Sequence, residues 1–352
     1  MVLDIKNLIN SIEEHNKSKV ICYLTNDNSN FSARIESDIY LYFQEILLNI
    51  GEQERIDLFL FSMGGNTLVP WKLVNMIRQY AKKFTVLIPY HANSAATLIS
   101  LGADKIIMGK MGDISPIDPT ITTPFNPSIP GQENDLRARI GLSVEDVMSY
   151  YELAKSTMNL KEESSLLKAF ELLSTNINPL ALGAVHRSYN QIRTLALKLL
   201  KLHLNQKDDY LLINEIIDSL TQKLYNHGHL INRNEALEIL SEKIIEIPDN
   251  ELENFIWQLF NEYKNNMKIS EYLDLSLKCK NFKPFYSQND MNSDKIDVEG
   301  IIATIQSADI KYEYKKTITL EPALEMISTQ QGNVYKNIGI RRNDFDQGWI
   351  KC

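Results

Sequence analysis

The chain has 352 residues, a formal net charge of −8 and 44% hydrophobic residues, the balance of a soluble globular protein long enough to bury a sizeable core. The acidic balance and the absence of a long basic block argue against a nucleic-acid or anionic-membrane surface. Three scattered cysteines, Cys22, Cys279 and Cys352, fit neither a disulfide framework nor a zinc site.

Met1 to Lys19 is polar and amphipathic without the apolar centre of a signal peptide, and no uncharged apolar run reaches membrane-spanning length. A cytoplasmic location is the default expectation, and membrane association is not indicated. Val20–Leu24 reads as a first strand and Ala33–Ile50 as a helix crossing to the next. Ile56–Phe61 is a second buried-strand pattern, ending in Ser62-Met63-Gly64-Gly65-Asn66-Thr67. Paired glycines after a strand permit positive φ and close backbone approach, which suits an amide that must face a ligand. Trp71–Tyr80, with Leu73, Val74, Ile77 and Tyr80 on one face, returns the chain to the strand Thr85–Pro89.

That strand leads into His91-Ala92-Asn93-Ser94-Ala95-Ala96-Thr97-Leu98, where small residues open a helix. Ser94 therefore sits where a strand gives way to a helix, whose first N–H groups have no intrahelical partner. A hydroxyl there can attack a carbonyl while neighbouring amides hold the oxyanion; the competing reading is an ordinary N-cap serine. Two crossover-linked βα units make their strands parallel, so the glycine loop and the serine loop share one sheet edge.

Four segments in this order carry a family resemblance: Phe61–Gly65, Asn93–Thr97, Ala103–Met108 and Ser115-Pro116-Ile117-Asp118-Pro119. Together they resemble the serine dehydrogenase proteinase family, a ClpP/crotonase-superfamily relative of the signal peptide peptidase SppA. Met63 stands for the family's proline, Ala96 for a glycine and Ser115 for the glycine before Pro116. His227-Gly228-His229-Leu230 through Glu235-Ala236 is similar to the family's stretch near the end of the catalytic domain, with Leu230 in place of proline. The resemblance covers roughly residues 18 to 245. It implies an α/β fold of the ClpP/crotonase type, a repeated ββα spiral with added helices and a C-terminal α+β extension. It also implies a serine peptidase acting on a peptide or protein substrate without a cofactor, and a symmetric homo-oligomer.

In that reading Ser94 is the nucleophile, and Gly64, Gly65 and Ala95 form the oxyanion hole. Asp118, fixed between two prolines, is a site-loop carboxylate or a structural cap. No histidine stands at the position ClpP uses, and SppA relatives use a lysine. Lys155 lies after the Pro124–Pro130 loop, roughly where the family would supply one. A lysine acting as base must be desolvated so that its pKa falls. His186, on a small-residue helix start, is the second candidate. His91 is read as a pocket-mouth or strand-end residue, His15 and His203 as surface, and His227 and His229 as turn residues. A metal site is not expected. The alternative function is a non-proteolytic crotonase-fold acyl-binding or accessory protein, since such relatives use the same paired-loop oxyanion site without a serine.

Ser143-Val144-Glu145-Asp146 fits a capping box opening a helix through about Thr157, and further helices are read at Glu163–Leu173, Ala181–Leu204 and Asn214–Tyr225. The apolar residues Ile192, Leu195, Leu197, Leu199 and Leu200 lie on more than one helix face, which would fit a subunit contact. The composition shifts near Pro248. The expected division is a catalytic unit at 1–247 and an appended unit at 248–352, with strands at Gly300–Gln306, Ile310–Leu320 and Val334–Ile340.

Overall fold

The computed structural model describes residues 4–118, 120–132, 135, 137–223, 228–287, 294–329 and 332–352. In chain order it contains α1 (Ile5–Asn16), β1 (Lys19–Thr25), α2 (Tyr40–Ile50), β2 (Gln53–Phe61), α3 (Val69–Arg78), β3 (Ala81–Ile88), β4 (His91–Ala92) and α4 (Ala95–Leu101). Then follow β5 (Lys105–Met108), β6 (Asp113–Ile114), β7 (Thr120–Ile121), β8 (Leu142–Ser143), α5 (Val144–Glu152), α6 (Glu163–Asn176), α7 (Pro179–Leu200) and α8 (Tyr210–Asp218). The chain closes with β9 (Ile231–Asn232), α9 (Arg233–Leu240), β10 (Ile245–Glu246), α10 (Asn250–Met267), β11 (Phe285–Tyr286), β12 (Ile296–Gln306), β13 (Lys311–Thr329) and β14 (Gly332–Lys351).

One large sheet organises these elements in the order β10-β5-β3-β2-β1-β12-β13-β14-β11. Strands β1, β2, β3, β5 and β10 run parallel, as the crossover helices require. Both faces of the parallel part are covered, which is why its strands read as continuous apolar runs. Alternation sorts their side chains. Ile21, Tyr23, Leu58, Leu60, Val86, Ile106 and Met108 join the core under the central helices, whereas Val20, Cys22, Leu24, Phe59, Phe61, Leu87 and Ile107 join the core beneath α1 and α10.

Three expectations change. The boundary near residue 248 does not separate two cores: α10 packs its Leu252, Ile256, Leu259 and Phe260 on the same sheet as α1, and β12 pairs antiparallel with β1 from Cys22↔Gln306 to Thr25↔Ala303. The strands after it are also longer than expected, because β13 and β14 form one hairpin of 19 and 20 residues. The five apolar residues read as a contact on α7 are packed within the chain. Ile192, Leu199 and Leu200 are buried, Leu195 nearly so, and Leu197 packs against the same core, so that helix offers no reason for a subunit contact.

Ser143 does cap α5, its hydroxyl accepting from the Asp146 amide at 3.3 Å. Past Glu152, however, the helix widens into a π turn over Leu153–Thr157. The expected helix at 214–225 likewise begins earlier, as α8, and passes into a π turn at Ser219–Lys223; residues 224–227 lie outside the described residues. No helix among the described residues is long and apolar enough to cross a membrane.

Candidate active site

The end of β2 and the end of β3 meet where their loops are stitched together. The Ser62 amide donates to the His91 carbonyl and the Asn93 amide donates to the Ser62 carbonyl, both at 2.9 Å. This clamp brings the glycine loop against the serine loop. A Cβ placed on Gly64 would lie 2.9 Å from both the Asn93 carbonyl oxygen and Ser94 Cβ. Gly64 has φ 101°, a left-handed conformation that L side chains rarely adopt.

Gly65 is glycine for a second reason. A Cβ there would fall 2.3 Å from the Ile35 carbonyl oxygen and 2.4 Å from its nitrogen. The segment around Ile35 runs alongside the loop as a short parallel bridge, with Ile35 N–H donating to Gly64 O at 2.9 Å and Asn66 N–H to Ile35 O at 2.8 Å. The close approach expected of a ligand at Gly65 is thus made by the chain itself on that side.

Ser94 has φ 53° and ψ −108° at the head of α4. A non-glycine residue held at positive φ costs on the order of 1–3 kcal/mol and persists only where its surroundings fix it. Ser115 fixes it: its hydroxyl accepts the Ser94 amide at 2.8 Å and donates to the Pro116 carbonyl at 2.9 Å. Thr97, fully buried, ties the same two loops together through contacts of its hydroxyl with Ala92 O at 2.8 Å and Ser115 O at 3.0 Å. Ser115 and Thr97 are the site residues that the sequence reading missed. Ser115 was visible only as a departure from the family's glycine.

The backbone donors divide cleanly. The Gly64 amide is taken by Ser62 Oγ at 3.0 Å, and the Ser94 amide by Ser115. The amides of Gly65 and Ala95 donate to no protein acceptor among the described residues. Of the three residues expected in the oxyanion hole, Gly64 therefore supplies room beside Ser94 and no free donor.

A cleft of about 1310 Å³ opens over this junction, lined by Gly65, Ser94, Asp118, Arg34, Thr120 and Ser188 among others. Asp118 is buried on its wall. Its neighbour Ile117 donates its amide to the Leu220 carbonyl at 3.0 Å, so the π turn at 219–223 helps fix the proline loop.

Neither expected base lines the cleft. Lys155 is exposed on its π turn, beside the Tyr151 ring at 5.3 Å. Interaction with Tyr151 raises its pKa, the opposite of the depression that desolvation would cause. His186 is exposed and contacts Asn190 Nδ2 at 3.0 Å, while Ser188, two residues on, faces the cleft. His91 is paired through Nδ1 with Asp113 at 2.8 Å and lies against Tyr90 at 3.6 Å between ring centres. His203, expected at the surface, is instead half-buried, its Nε2 2.9 Å from the Leu101 carbonyl, and desolvation lowers its pKa. His229 meets Glu235 at 2.8 Å, and His227 lies outside the described residues.

Comparison with known proteins bears on this geometry. Residues 3–135 match the family model of the ClpP-like SDH-type serine proteinase, a span that contains the glycine loop, Ser94, Ser115 and Asp118, in accord with the expected α/β fold. Two uncharacterized proteins of Methanocaldococcus jannaschii, MJ1495 and MJ0137, are 39% and 35% identical over 70 and 78 residues. These segments are 20% and 22% of this chain, which spans only about a quarter of the relatives' length, 24% and 27% respectively. Among solved structures the chain is similar to two mutant forms of the 1510-N membrane-bound stomatin-specific protease, one of them in complex with a substrate peptide. Identities are 16% and 17% and TM-scores 0.37 and 0.35, over 73% of this chain and 93% and 88% of those chains.

Proposed function

We propose that this chain, whose residues 3–135 match the model of the ClpP-like SDH-type serine proteinase family, is a serine peptidase with Ser94 as nucleophile. The observation that carries the reading is the backbone of Ser94: positive φ at a strand–helix junction, held by Ser115 and pressed against a glycine. An ordinary N-cap serine has extended backbone and accepts a hydrogen bond from the helix. Ser94 does neither.

In this mechanism Ser94 Oγ attacks a peptide carbonyl lying in the cleft, and the charge that develops on the carbonyl oxygen is met by the free amides of Gly65 and Ala95. Such donors act without reorganising, and removing one commonly costs 10²–10³ in rate. The proton of Ser94 passes to a base that then protonates the leaving amine. We assign that role to Lys155, delivered when the segment carrying it closes over the cleft. The π turn that carries Lys155 buries only Ala154, and helix α6, which follows it, buries no residue, so little packing opposes such a movement. His186 is the alternative base, reached by the same closure. Asp118, on the cleft wall, orients whichever base arrives.

A fluorophosphonate probe tests the central claim. Wild type is expected to be labelled at Ser94 and to hydrolyse unstructured peptides, and Ser94→Ala to do neither. Hydrolysis by Ser94→Ala equal to wild type would remove the reading.

A further inference from the structure

We propose that the outer edge of β14 is a self-complementary docking strand, which pairs antiparallel with β14 of a second copy of this chain about a two-fold axis through Asn343. Along its length β14 is paired with β13 on one side. On the other side β11 meets it only at Tyr335 and Lys336. The Asn337 amide still donates to the Pro284 carbonyl at 2.9 Å, and from Ile338 onward the outer edge has no strand partner among the described residues. It also carries exposed apolar side chains, with Ile338 61%, Ile340 44% and Phe345 56% accessible. Long open edges are templates for pairing, and proteins blunt them with proline, bulges, charge or short length; β14 is bulged at Ile338 and Gln347, and the stretch between, Gly339–Asp346, is the regular part of its edge.

The charges on this edge choose the partner. The order Arg341-Arg342-Asn343-Asp344-Phe345-Asp346 places bases before acids. Two antiparallel copies related by a two-fold axis normal to the sheet oppose residues whose numbers have a fixed even sum, because opposed side chains share a face. With the axis at Asn343, Arg342 faces Asp344 of the second copy twice over, and Arg341 lies against Phe345. Moving the axis by one residue sets Arg342 against Arg342, or Asp344 against Asp344. Like charges directly opposite are destabilising, so these neighbouring registers are disfavoured, and the axis at Asn343 is the one that pairs Arg342 with Asp344. Within one chain Arg342 already meets Asp344 at 2.6 Å, and Asp344 also meets Lys316 at 2.7 Å; the dimer would join the two Arg342–Asp344 pairs into one network of alternating charges. A foreign extended segment has no reason to match that pattern, whereas a second copy matches it by symmetry.

Light scattering of the full chain at micromolar concentrations is expected to give a mass near twice 40.5 kDa. Arg342→Asp and Asp344→Arg each put like charges opposite one another and should weaken dimerisation on the order of tenfold or more. An equimolar mixture of the two variants should restore it, because acids on one chain then face bases on the other, and the double exchange in one chain should restore it too. Should either variant lose its circular dichroism, Asn343→Cys in a Cys352→Ser background decides instead: oxidation should link the two copies at the axis. A monomeric wild type, a dimer indifferent to both charge exchanges, or no cross-link through position 343 would overturn the proposal.

Discussion

The main-chain amide of Ser94 donates to the hydroxyl of Ser115 at 2.8 Å, and that contact is the means by which one loop holds the other in a conformation it would not adopt alone. A hydroxyl at 115 satisfies an amide that the positive φ of Ser94 has turned away from its own helix. Ser115→Ala leaves this half-buried donor without its acceptor, at a cost of about 1–3 kcal/mol. The expected outcome is a lower midpoint in denaturant and slower labelling of Ser94. Ser115→Thr, which keeps the oxygen, should recover the labelling rate at least in part.

Ser94→Gly should separate stability from function. Glycine takes the φ of 53° without a Cβ penalty, so its removal of strain should offset the greater freedom it gives the unfolded chain. Thermal unfolding is expected to stay level or rise, while probe labelling disappears. A large fall in melting temperature would mean that the Ser94 side chain is needed for packing.

The two glycines should respond differently from a flexible loop. At Gly65 an added methyl meets main-chain atoms of Ile35, which cannot yield as the tip of a side chain would. Gly65→Ala should therefore cost on the order of 3 kcal/mol and displace the segment around Ile35. Gly64→Ala meets Ser94 itself as well as the Asn93 carbonyl and must hold φ 101°, so it should lower stability too, with labelling and turnover falling further than in Gly65→Ala. Comparing urea midpoints with labelling rates for the two variants checks that division.

Lys155→Met should abolish turnover while leaving the fold intact, since the side chain is exposed beside the Tyr151 ring. In the closed arrangement proposed for catalysis the amine is withdrawn from water, and kcat should rise with pH through its lowered pKa. Retained turnover in Lys155→Met with loss in His186→Ala would transfer the role to His186.

His203 predicts a stability change near neutrality. Burial holds its folded-state pKa below the unfolded 6.5, so the neutral ring is favoured in the native state. Its contribution is fully present above the unfolded value and is lost as pH falls through the folded one, because the unfolded chain then binds the extra proton more readily. Unfolding midpoints of wild type should fall on acidification through this window. His203→Gln should flatten that part of the profile.

Much of this was written in the linear chain. Continuous apolar runs at 20–24 and 56–61 identify strands buried on both faces, and the residues after them mark the loops where a site can form. Those signals are local, since each depends on the chemistry of a few consecutive residues. They set the glycine loop and the serine loop at one sheet edge, and in the folded chain Gly65 and Ser94 line one cleft. They did not show that the Gly64 amide is consumed by Ser62, or that Ser115 holds Ser94, because hydrogen-bond partners 21 residues apart are set by how two loops pack.

The same limit explains the lysine and the C-terminal strands. A lysine's pKa follows from what surrounds it, and no spacing in the sequence records that Lys155 lies in solvent against Tyr151. The run from 296 to 306 reads as a strand from its own residues. Its place beside β1 is decided by the competition for that open sheet edge, which only the folded chain resolves. Sequence determined which segments could be strands, helices and tight turns; tertiary packing decided which polar groups were already spent within the fold and which were left facing the cleft.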